Sequence, residues 1–367
     1  MRLDGRRRSN NVEDRRHISG RTAGIGGGII GVIIVGIITL MSGGNIGDVL
    51  SNVMGNMGGT TQQTEYVETA EDQRLADLAS KVLAGTEDVW TQEFRKRGLG
   101  EYECPKLVLF HGAVNSGCGN ATAQTGPFYC SADQTVYIDL DFFKDMEQTI
   151  GGGGDFAYAY VIAHEVGHHV QYLLGTLSQA HQQMQRLPET EANKISVRLE
   201  LQADYYAGVW ANRDNAMFGS IEPGDVENAI NVASKIGDDY LQRKAYGREM
   251  PDSFNHGRSS QRVRWLQRGI NSGDMAQGDT FSPDYDDLCP SPEGHPPQSL
   301  HPLRKACKNR PPRSSRSRME VGLVLHLPAR LTAAGRWMFT SWSGASSRGR
   351  SEASGWDSPR CRSRSHR

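Results

Sequence analysis

The sequence predicts an α+β fold in which helices dominate and a small antiparallel sheet supports them. Residues 155–174 (DFAYAYVIAHEVGHHVQYLL) form a long apolar run bounded by glycines, which predicts a helix. Residues 135–143 (TVYIDLDFF) alternate in part and are rich in β-branched and aromatic side chains, which predicts a strand. The chain has 367 residues, of which 37% are hydrophobic, and this fits one globular domain with appendages.

The predicted elements follow one another along this domain. We expect a helix at residues 71–97, strands within 105–140, and helices at 155–174, about 190–213, about 225–242 and 259–271. At the start of the 155–174 helix, Asp155 is placed as the N-cap after four glycines, and Gly175 ends the helix.

The N-terminal part of the chain carries the features of a membrane anchor. Residues 1–22 contain seven arginines against three acidic residues, and residues 23–41 carry no charge. Nineteen uncharged residues at 1.5 Å per residue come close to a hydrocarbon core of roughly 30 Å. A cleavable signal peptide is the rival interpretation, but no A-x-A site or lipobox cysteine follows. The preceding arginines predict a single-pass protein of the cell membrane, with a cytoplasmic N-terminus and a periplasmic or extracellular C-terminal domain.

The rest of the chain divides by composition. Residues 42–70 are rich in Gly, Ser, Thr, Gln and Asn and predict a flexible linker, and residues 71–281 hold the predicted globular domain. Residues 282–367 are rich in Arg, Ser and Pro without sustained periodicity, which predicts disorder. A basic arm is one interpretation of this tail. An aberrant extension is the favoured one, because basic arms rarely contain apolar patches such as VGLVLHLPARL. The net charge of −1 gives no reason to expect a nucleic-acid partner.

The segment VIAHEVGHHV contains the pattern H-E-x-x-H, which points to metal chemistry. His164 and His168 are four residues apart, so a helix presents both imidazoles on one face. In zinc peptidases with this pattern, the histidines bind Zn²⁺ and the glutamate, here Glu165, is the general base. A chance match on a surface helix is the plain alternative, but the apolar flanks disfavour it. His169 points about 100° away from His168, so we expect it to pack or support rather than bind the metal.

A catalytic zinc needs a third protein ligand and an open position. Glu200 and Asp204 are four residues apart in VRLELQADYYAGVWA and share one helix face. Glu200 can complete a His₂Glu site, and Asp204 can accept the free ring N–H of a ligand histidine. Two solvated helix charges are the alternative interpretation. The apolar neighbours of these residues favour the ligand interpretation.

Several further segments, in the same order, make a family resemblance specific: NVEDRR, GCG…GPFYC, TVYIDL, YVIAHEVGHHVQ, SVRLELQADYYAGVW, IGDDYLQ, PDSFNHG and QRVRWLQRG. Together they resemble the bacterial neutral zinc metallopeptidase family, whose members are typically membrane-anchored. The resemblance runs from the N-terminus to about Phe281. It implies a zincin-like metallopeptidase domain after one transmembrane helix, with Zn²⁺ as cofactor. It also suggests that the 135–143 strand is the edge strand that holds the substrate backbone. A plain core strand is the alternative interpretation.

His256 and Arg262 are the remaining candidates for catalysis. They are spaced His-x5-Arg, which resembles the element that follows the Glu-x-x-x-Asp helix in membrane-bound gluzincins. Such groups can stabilise the oxyanion that forms during peptide hydrolysis. A turn histidine and a helix-surface arginine are the equally weighted alternative.

Cysteines agree with an exported domain. Cys118 and Cys130 flank a loop rich in Gly, Asn and Pro, which a disulfide could close. A zinc knuckle is the rival interpretation, but no second Cys/His pair accompanies it. In the family pattern, a second cysteine pair would fall at positions 205 and 278, where this chain has Tyr205 and Gly278.

The leading functional interpretation is a membrane-tethered hydrolase, a zinc-dependent endopeptidase that cleaves protein or peptide substrates. His164, His168 and Glu200 would hold Zn²⁺, and Glu165 would act as general base on a water activated by the zinc. One alternative is a non-catalytic, zinc-stabilised binding or assembly factor anchored to the membrane. Glu165 argues against it, because a structural zinc site needs no base. Another alternative is a basic nucleic-acid- or lipid-binding protein that acts through residues 1–22 and 304–318.

Overall fold

The structure, a computed structural model, describes residues 1–16, 67–122 and 126–289. The predicted transmembrane segment at residues 23–41 lies outside these ranges, as do most of the predicted linker and tail. Among the helices that the structure describes, none is both long and apolar enough to cross a membrane.

Helices make up most of the described chain, as predicted. They are α1 (Ala70–Arg97), α2 (Leu140–Ile150), α3 (Asp155–Leu173), α4 (Thr176–Met184), α5 (Glu189–Phe218), α6 (Asp225–Lys235), α7 (Asp238–Tyr246) and α8 (Ser259–Ser272). Short 3₁₀ turns follow at Pro251–Ser253, Met275–Gln277 and Tyr285–Leu288. The helices predicted at residues 71–97, 155–174 and 259–271 agree with α1, α3 and α8 to within one residue at each end. Helices α2 and α4 were not predicted.

The sheet is mixed, so the prediction of an antiparallel sheet is wrong. The strands are β1 (Val12–Asp14), β2 (Lys106–Phe110), β3 (Ala113–Ser116), β4 (Gly119–Thr122), β5 (Phe128–Cys130) and β6 (Thr135–Asp139). Four of them form a sheet in the order β1-β2-β6-β5, in which only β5 runs antiparallel. Strands β3 and β4 form a separate hairpin between β2 and β6, and this excursion lets β6 return parallel to β2.

The strand predicted at residues 135–143 ends earlier than the sequence suggested. Strand β6 stops at Asp139, whose side chain accepts a hydrogen bond from the backbone N–H of Asp141 and caps helix α2. All five β6 residues are buried, and β6 lies between β2 and β5. It is therefore not an edge strand, and β5 holds the edge position on that side of the sheet.

The helix predicted at about 225–242 is two helices, α6 and α7, which separate at Ile236 and Gly237. A Cβ atom at Gly237 would lie 2.2 Å from the backbone nitrogen of Ser259, so only glycine lets the start of α8 come this close. Asp238, the first residue of α7, then accepts hydrogen bonds from the backbone N–H groups of His256 and Gly257. The helix break therefore fixes the position of His256.

Helix α3 crosses the core between α1 and α5. Its crossing with α5 is close, because a Cβ atom at Gly167 would lie 3.0 Å from the carbonyl oxygen of Ala203. Helices α5 and α8 also cross closely, at Gly208 and Gly269. Small residues at these crossings bring the polar faces of α3, α5 and α8 to one place.

Both ends of the described chain pack against the domain. Residues 1–16 supply β1, which pairs with β2 along Val12–Asp14. At the other end, Leu288 is fully buried in the main core and Tyr285 packs beside it. Packed structure thus continues to Cys289, eight residues beyond the predicted domain end at residue 281.

Candidate metal centre

Helix α3 presents the H-E-x-x-H residues at its crossing with α5. Its apolar residues are buried on the other faces, so the histidine face is the part of the helix that meets polar groups. Glu200 of α5 lies opposite. Its carboxylate is 3.2 Å from Nε2 of His164 and 3.4 Å from Nε2 of His168. The structure therefore brings the three predicted ligands together, with their ligand atoms within 4.8 Å of one another.

The Nδ1 atoms of the two histidines form hydrogen bonds with neighbouring side chains. Nδ1 of His164 is 2.9 Å from Oδ1 of Asp204, and Nδ1 of His168 is 2.8 Å from Oε1 of Gln171. A ring nitrogen that donates to a carboxylate or amide oxygen leaves the opposite Nε2 as a lone pair for a cation. Both Nε2 atoms face Glu200, so the orientation suits metal binding at both histidines.

Asp204 is itself tied into a buried network. The guanidinium of Arg262 donates to both of its carboxylate oxygens, and the Tyr160 hydroxyl donates to Oδ1 at 2.6 Å. Burial alone would raise the pKa of Asp204, but the charges of Arg262 and His164 hold it below its usual range. Asp204 is therefore an anion that binds Arg262 on one side and His164 on the other.

This position does not fit the oxyanion role predicted for Arg262. The side chain is buried, and its guanidinium points at Asp204, on the side of His164 away from Glu200. Because Arg262 acts on His164 only through Asp204, it is a positioning residue in this structure. The His-x5-Arg spacing singled out an arginine that lies beside Asp204, but the spacing alone could not tell which group the arginine faces.

His256 lies near enough to Glu200 for the charges of the two side chains to interact. Its side chain is 29% exposed, and its Nδ1 is 3.3 Å from Asp238. Burial would lower the pKa of His256, but the hydrogen bond with Asp238 and the charge of Glu200 outweigh burial and raise it. His256 is thus a partly exposed histidine whose charge interacts with that of the candidate ligand Glu200.

The electrostatics of the three ligands favour a bound cation. Burial would raise the pKa of Glu200, yet His168 and His164 hold it well below its usual range. Burial would also lower the pKa of His164, but Asp204 and Glu200 raise it to about 10. The two carboxylates thus draw a positive charge to this point, and a divalent cation can supply that charge in place of protons. Two imidazoles and one carboxylate form a donor set that suits Zn²⁺.

His169 faces away from the candidate ligands, as predicted. It is fully buried, with Nε2 donating to the carbonyl of Glu103 at 2.7 Å and Nδ1 accepting from the Tyr129 hydroxyl at 2.9 Å. These bonds connect helix α3 to strand β5, because Tyr129 lies in β5. His169 therefore fixes the edge strand beside the helix that carries the ligands.

A second group of possible ligands, His111, Asp139 and Asp141, lies at the ends of β2 and β6. Hydrogen bonds and ion pairs within the protein explain why these three side chains lie together. Asp139 accepts from two backbone N–H groups, and Asp141 binds both His111 and Lys144. Lys144 already supplies a cation to Asp141, and backbone donors satisfy Asp139, so these contacts explain the group without a metal.

Sequence reasoning did not find Gln171 or Tyr160. Gln171 lies three residues after His168, one helical turn further along α3, so the spacing was visible in the sequence. The sequence does not show, however, which group a glutamine will bind. The Gln171 amide also donates to the carbonyl of Leu199 and to the side chain of Gln202, both on α5. Tyr160 lies four residues before His164, where an aromatic residue looks like ordinary core.

The predicted disulfide is present. Cys118, after β3, and Cys130, at the end of β5, are bonded with their Cα atoms 5.8 Å apart. The bond joins the β3–β4 hairpin to the edge strand.

Comparison with known proteins gives the site a family. Residues 1–281 match the family described as "Putative neutral zinc metallopeptidase". The chain belongs to this family. It is 47% identical to the uncharacterized protein YpfJ of Escherichia coli K12 over 286 residues, which cover 77% of this chain and 99% of that protein. It is also 43% identical over 194 residues to the uncharacterized protein Rv2575 of Mycobacterium tuberculosis H37Rv, covering 50% of this chain and 64% of that protein. No solved structure matches the chain significantly.

Proposed function

We propose that this zinc metallopeptidase family member is an active, zinc-dependent endopeptidase. One observation carries the proposal: two histidines with oriented Nε2 atoms meet a half-buried glutamate at a single point, and Glu165 lies between the histidines in the same helix turn. A purely structural zinc site has no use for an acid–base group at this position. The arrangement therefore supports catalysis over a zinc-stabilised binding module.

His164, His168 and Glu200 would hold the Zn²⁺ ion. When bound, the ion supplies Lewis acidity, which polarises the scissile carbonyl and makes water easier to deprotonate. Asp204, Arg262 and Gln171 keep the two imidazoles in the orientation that binding requires. Because these supports are buried, the histidines do not have to reorient before the reaction.

Glu165 would carry the proton. The residue is 8% exposed, so most of it is shielded from bulk water. We propose that its carboxylate accepts a proton from the attacking water and then passes it to the leaving amine. Protonated His256 would donate a hydrogen bond to the carbonyl oxygen as negative charge develops on it.

The free edge of β5 would hold the substrate. Within the part of the chain that the structure describes, strand β5 pairs with β6 alone, and Tyr129 ties it to helix α3 through His169. An extended peptide can add to such an edge through main-chain hydrogen bonds, which do not depend on its sequence. This binding mode suits cleavage within a chain. We also propose that residues 23–41 attach the peptidase to a membrane.

The test compares the purified full chain with its Glu165→Gln variant on a library of unstructured peptides. Glutamine keeps the size of the side chain but cannot accept the proton, so kcat should fall by at least about a hundredfold. Zinc content should stay near one ion per chain in both proteins, and His164→Ala with His168→Ala should abolish it.

Glu191→Gln is the matched control, because Glu191 is an exposed carboxylate on helix α5, which also carries Glu200. It should hydrolyse peptides at the wild-type rate. Hydrolysis by Glu165→Gln at that same rate would rule out the proposed base. Zinc that survives the double histidine change would rule out the proposed ligands.

A further inference from the structure

The arginines of the N-terminal segment, residues 1–16, bind carboxylates of the folded domain. The segment contains six arginines. Five of them pair with acidic residues between Glu68 and Glu222; these pairs are Arg2–Glu222, Arg6–Asp214, Arg7–Asp88, Arg8–Asp77 and Arg16–Glu68. The sixth, Arg15, pairs with Glu13 inside the segment. Each arginine of residues 1–16 therefore forms an ion pair with a carboxylate of the protein.

Two of the carboxylates are buried and depend on this segment. Asp214 is fully buried, and Arg6 donates to both of its oxygens at 2.7 and 3.3 Å. Glu87 is also buried and accepts from Arg7, from the Ser9 hydroxyl and from the Asn11 side chain. A buried carboxylate that loses its cationic partner is strongly destabilising. The domain therefore depends on residues 1–16.

The backbone of the segment is also part of the sheet. Strand β1 adds to β2, with the N–H of Leu107 donating to the carbonyl of Asn11 and the N–H of Arg15 donating to the carbonyl of Leu109. Without β1, strand β2 would be an exposed edge of a sheet with one fewer strand. Side-chain and main-chain contacts thus agree that residues 1–16 belong to the domain.

We propose that residues 1–16 are a structural part of the peptidase domain and lie on the same side of the membrane as residues 67–289. A single crossing between Arg16 and Val67 would put these two parts in different compartments and would break every contact described above. The chain between them therefore crosses a membrane an even number of times or not at all. This inference replaces the single-pass topology expected from the sequence.

The same contacts give the arginine run a different explanation. In the positive-inside rule, unpaired arginines before an apolar segment hold the N-terminus in the cytoplasm. Here the arginines of residues 1–16 are paired with carboxylates, so their charge serves folding. The sequence could not distinguish the two roles, because the acidic partners lie about 50 to 220 residues further along the chain.

A charge-reversal experiment in the full-length protein separates the two roles. Arg7 donates to both oxygens of Asp88, so Arg7→Asp and Asp88→Arg should each lower the melting midpoint of the domain in isolated membranes. The expected shift is roughly 5 °C or more. The double variant Arg7→Asp/Asp88→Arg should recover at least half of the loss.

Arg21→Asp is the matched control, because Arg21 belongs to the same basic run in the sequence and its change removes the same charge from it. If the arginines act only on membrane orientation, Arg7→Asp and Arg21→Asp will have equal effects, and Asp88→Arg will rescue neither. That result would overturn the proposal. An effect confined to Arg7→Asp and reversed by Asp88→Arg would support it.

Chemical labelling can show on which side of the membrane residues 1–16 and residues 67–289 lie. Asp4→Cys and Leu99→Cys place a thiol at an exposed position in the segment and in the domain, respectively. Intact spheroplasts are treated with a membrane-impermeant maleimide, and the labelled positions are found by peptide mass mapping. Both positions labelled, or both protected, would support the proposal, and labelling of one alone would overturn it. Neither experiment depends on peptide hydrolysis, so the proposed function is tested separately.

Discussion

Arg262 binds both carboxylate oxygens of Asp204, with Nε 2.9 Å from Oδ2 and Nη2 3.0 Å from Oδ1. The same aspartate faces Nδ1 of His164, so a line of buried polar contacts runs from helix α8 through α5 to the candidate metal ligand on α3. A bidentate pair fixes the rotation of the carboxylate as well as its position. The orientation of His164 therefore depends on a residue that touches neither metal nor substrate.

Arg262→Met should damage both stability and the metal site. It leaves the Asp204 carboxylate buried without its cation, which costs about 3–5 kcal/mol of unfolding free energy. Loss of the support should also weaken zinc binding by roughly 10–100-fold. Arg268→Met is the control on the same helix, because Arg268 is exposed. Denaturant unfolding and chelator competition measure both effects, and equal results for the two variants would contradict the role given to Arg262.

Gln171→Met should weaken zinc binding without removing a ligand. Methionine has a similar length but cannot accept the hydrogen bond that Oε1 of Gln171 makes with Nδ1 of His168. We expect zinc affinity to fall by roughly 10–100-fold while the number of bound ions stays the same. Gln182→Met changes an exposed glutamine on helix α4 and should leave the affinity unchanged. Wild-type affinity in Gln171→Met would show that His168 needs no such support.

The sequence predicted the parts of the site that follow from spacing within one helix. His164 and His168 share a face of α3, and Glu200 and Asp204 share a face of α5, whatever the rest of the fold does. What the sequence could not give was how helices α3, α5 and α8 meet. That depends on the close helix crossings at Gly167 and Gly208, and on the contact that Arg262 of α8 makes with Asp204.

The sheet was harder to predict for a related reason. Strand β1 lies in a short basic segment, which composition assigns to the membrane anchor, and its partner β2 is about 90 residues away. The β6 prediction failed at Asp139, where one side-chain cap converts an apolar run from strand to helix. Local patterns therefore identified long helices reliably, while pairing between distant segments had no local signal.

His169 should make stability depend on pH. Burial lowers its pKa to about 4, although the bond to Glu103 opposes this. In the unfolded chain the imidazole takes up a proton near pH 6.5, so between pH 6.5 and 4 only the unfolded state is protonated. The stabilisation by His169 is therefore present above pH 6.5 and is lost as the pH falls towards 4, by up to about 1.4 kcal/mol per pH unit.

His169→Gln tests this dependence, because glutamine can donate and accept but does not titrate. Unfolding free energies of the two proteins are measured with denaturant from pH 4.5 to 7.5, in the presence of a chelator. The advantage of the wild type should be largest above pH 6.5 and should shrink as the pH falls. A constant difference across this range would show that His169 titrates alike in both states.

Tyr205 and Gly278 occupy the positions at which the family resemblance places a second cysteine pair, and the two residues face each other. A Cβ atom at Gly278 would lie 2.6 Å from Cδ1 of Tyr205. Gly278→Cys alone should therefore overlap the tyrosine ring and cost about 1–3 kcal/mol. Tyr205→Cys/Gly278→Cys removes the ring, and its two thiols should form a disulfide under mild oxidation. Mass mapping of the non-reduced protein would detect the bond, and two thiols that stay free would show that the positions do not meet.

Two truncations should separate the packed end of the domain from the rest of the tail. Residues 282–289 lie beyond the family match, yet Leu288 is fully buried and Arg264 donates to the backbone carbonyls of Asp287 and Cys289. A chain that ends at Cys289 should keep zinc binding and peptide hydrolysis, because all proposed ligands and catalytic groups lie before it.

A chain that ends at Phe281 loses the Leu288 side chain from the core, at a cost of about 2–5 kcal/mol. Its melting midpoint should be lower by several degrees, and Leu288→Ala in the full chain should reproduce much of that loss. If both truncated chains had the same melting midpoint as the full chain, the contacts of residues 282–289 would contribute nothing to the stability of the fold.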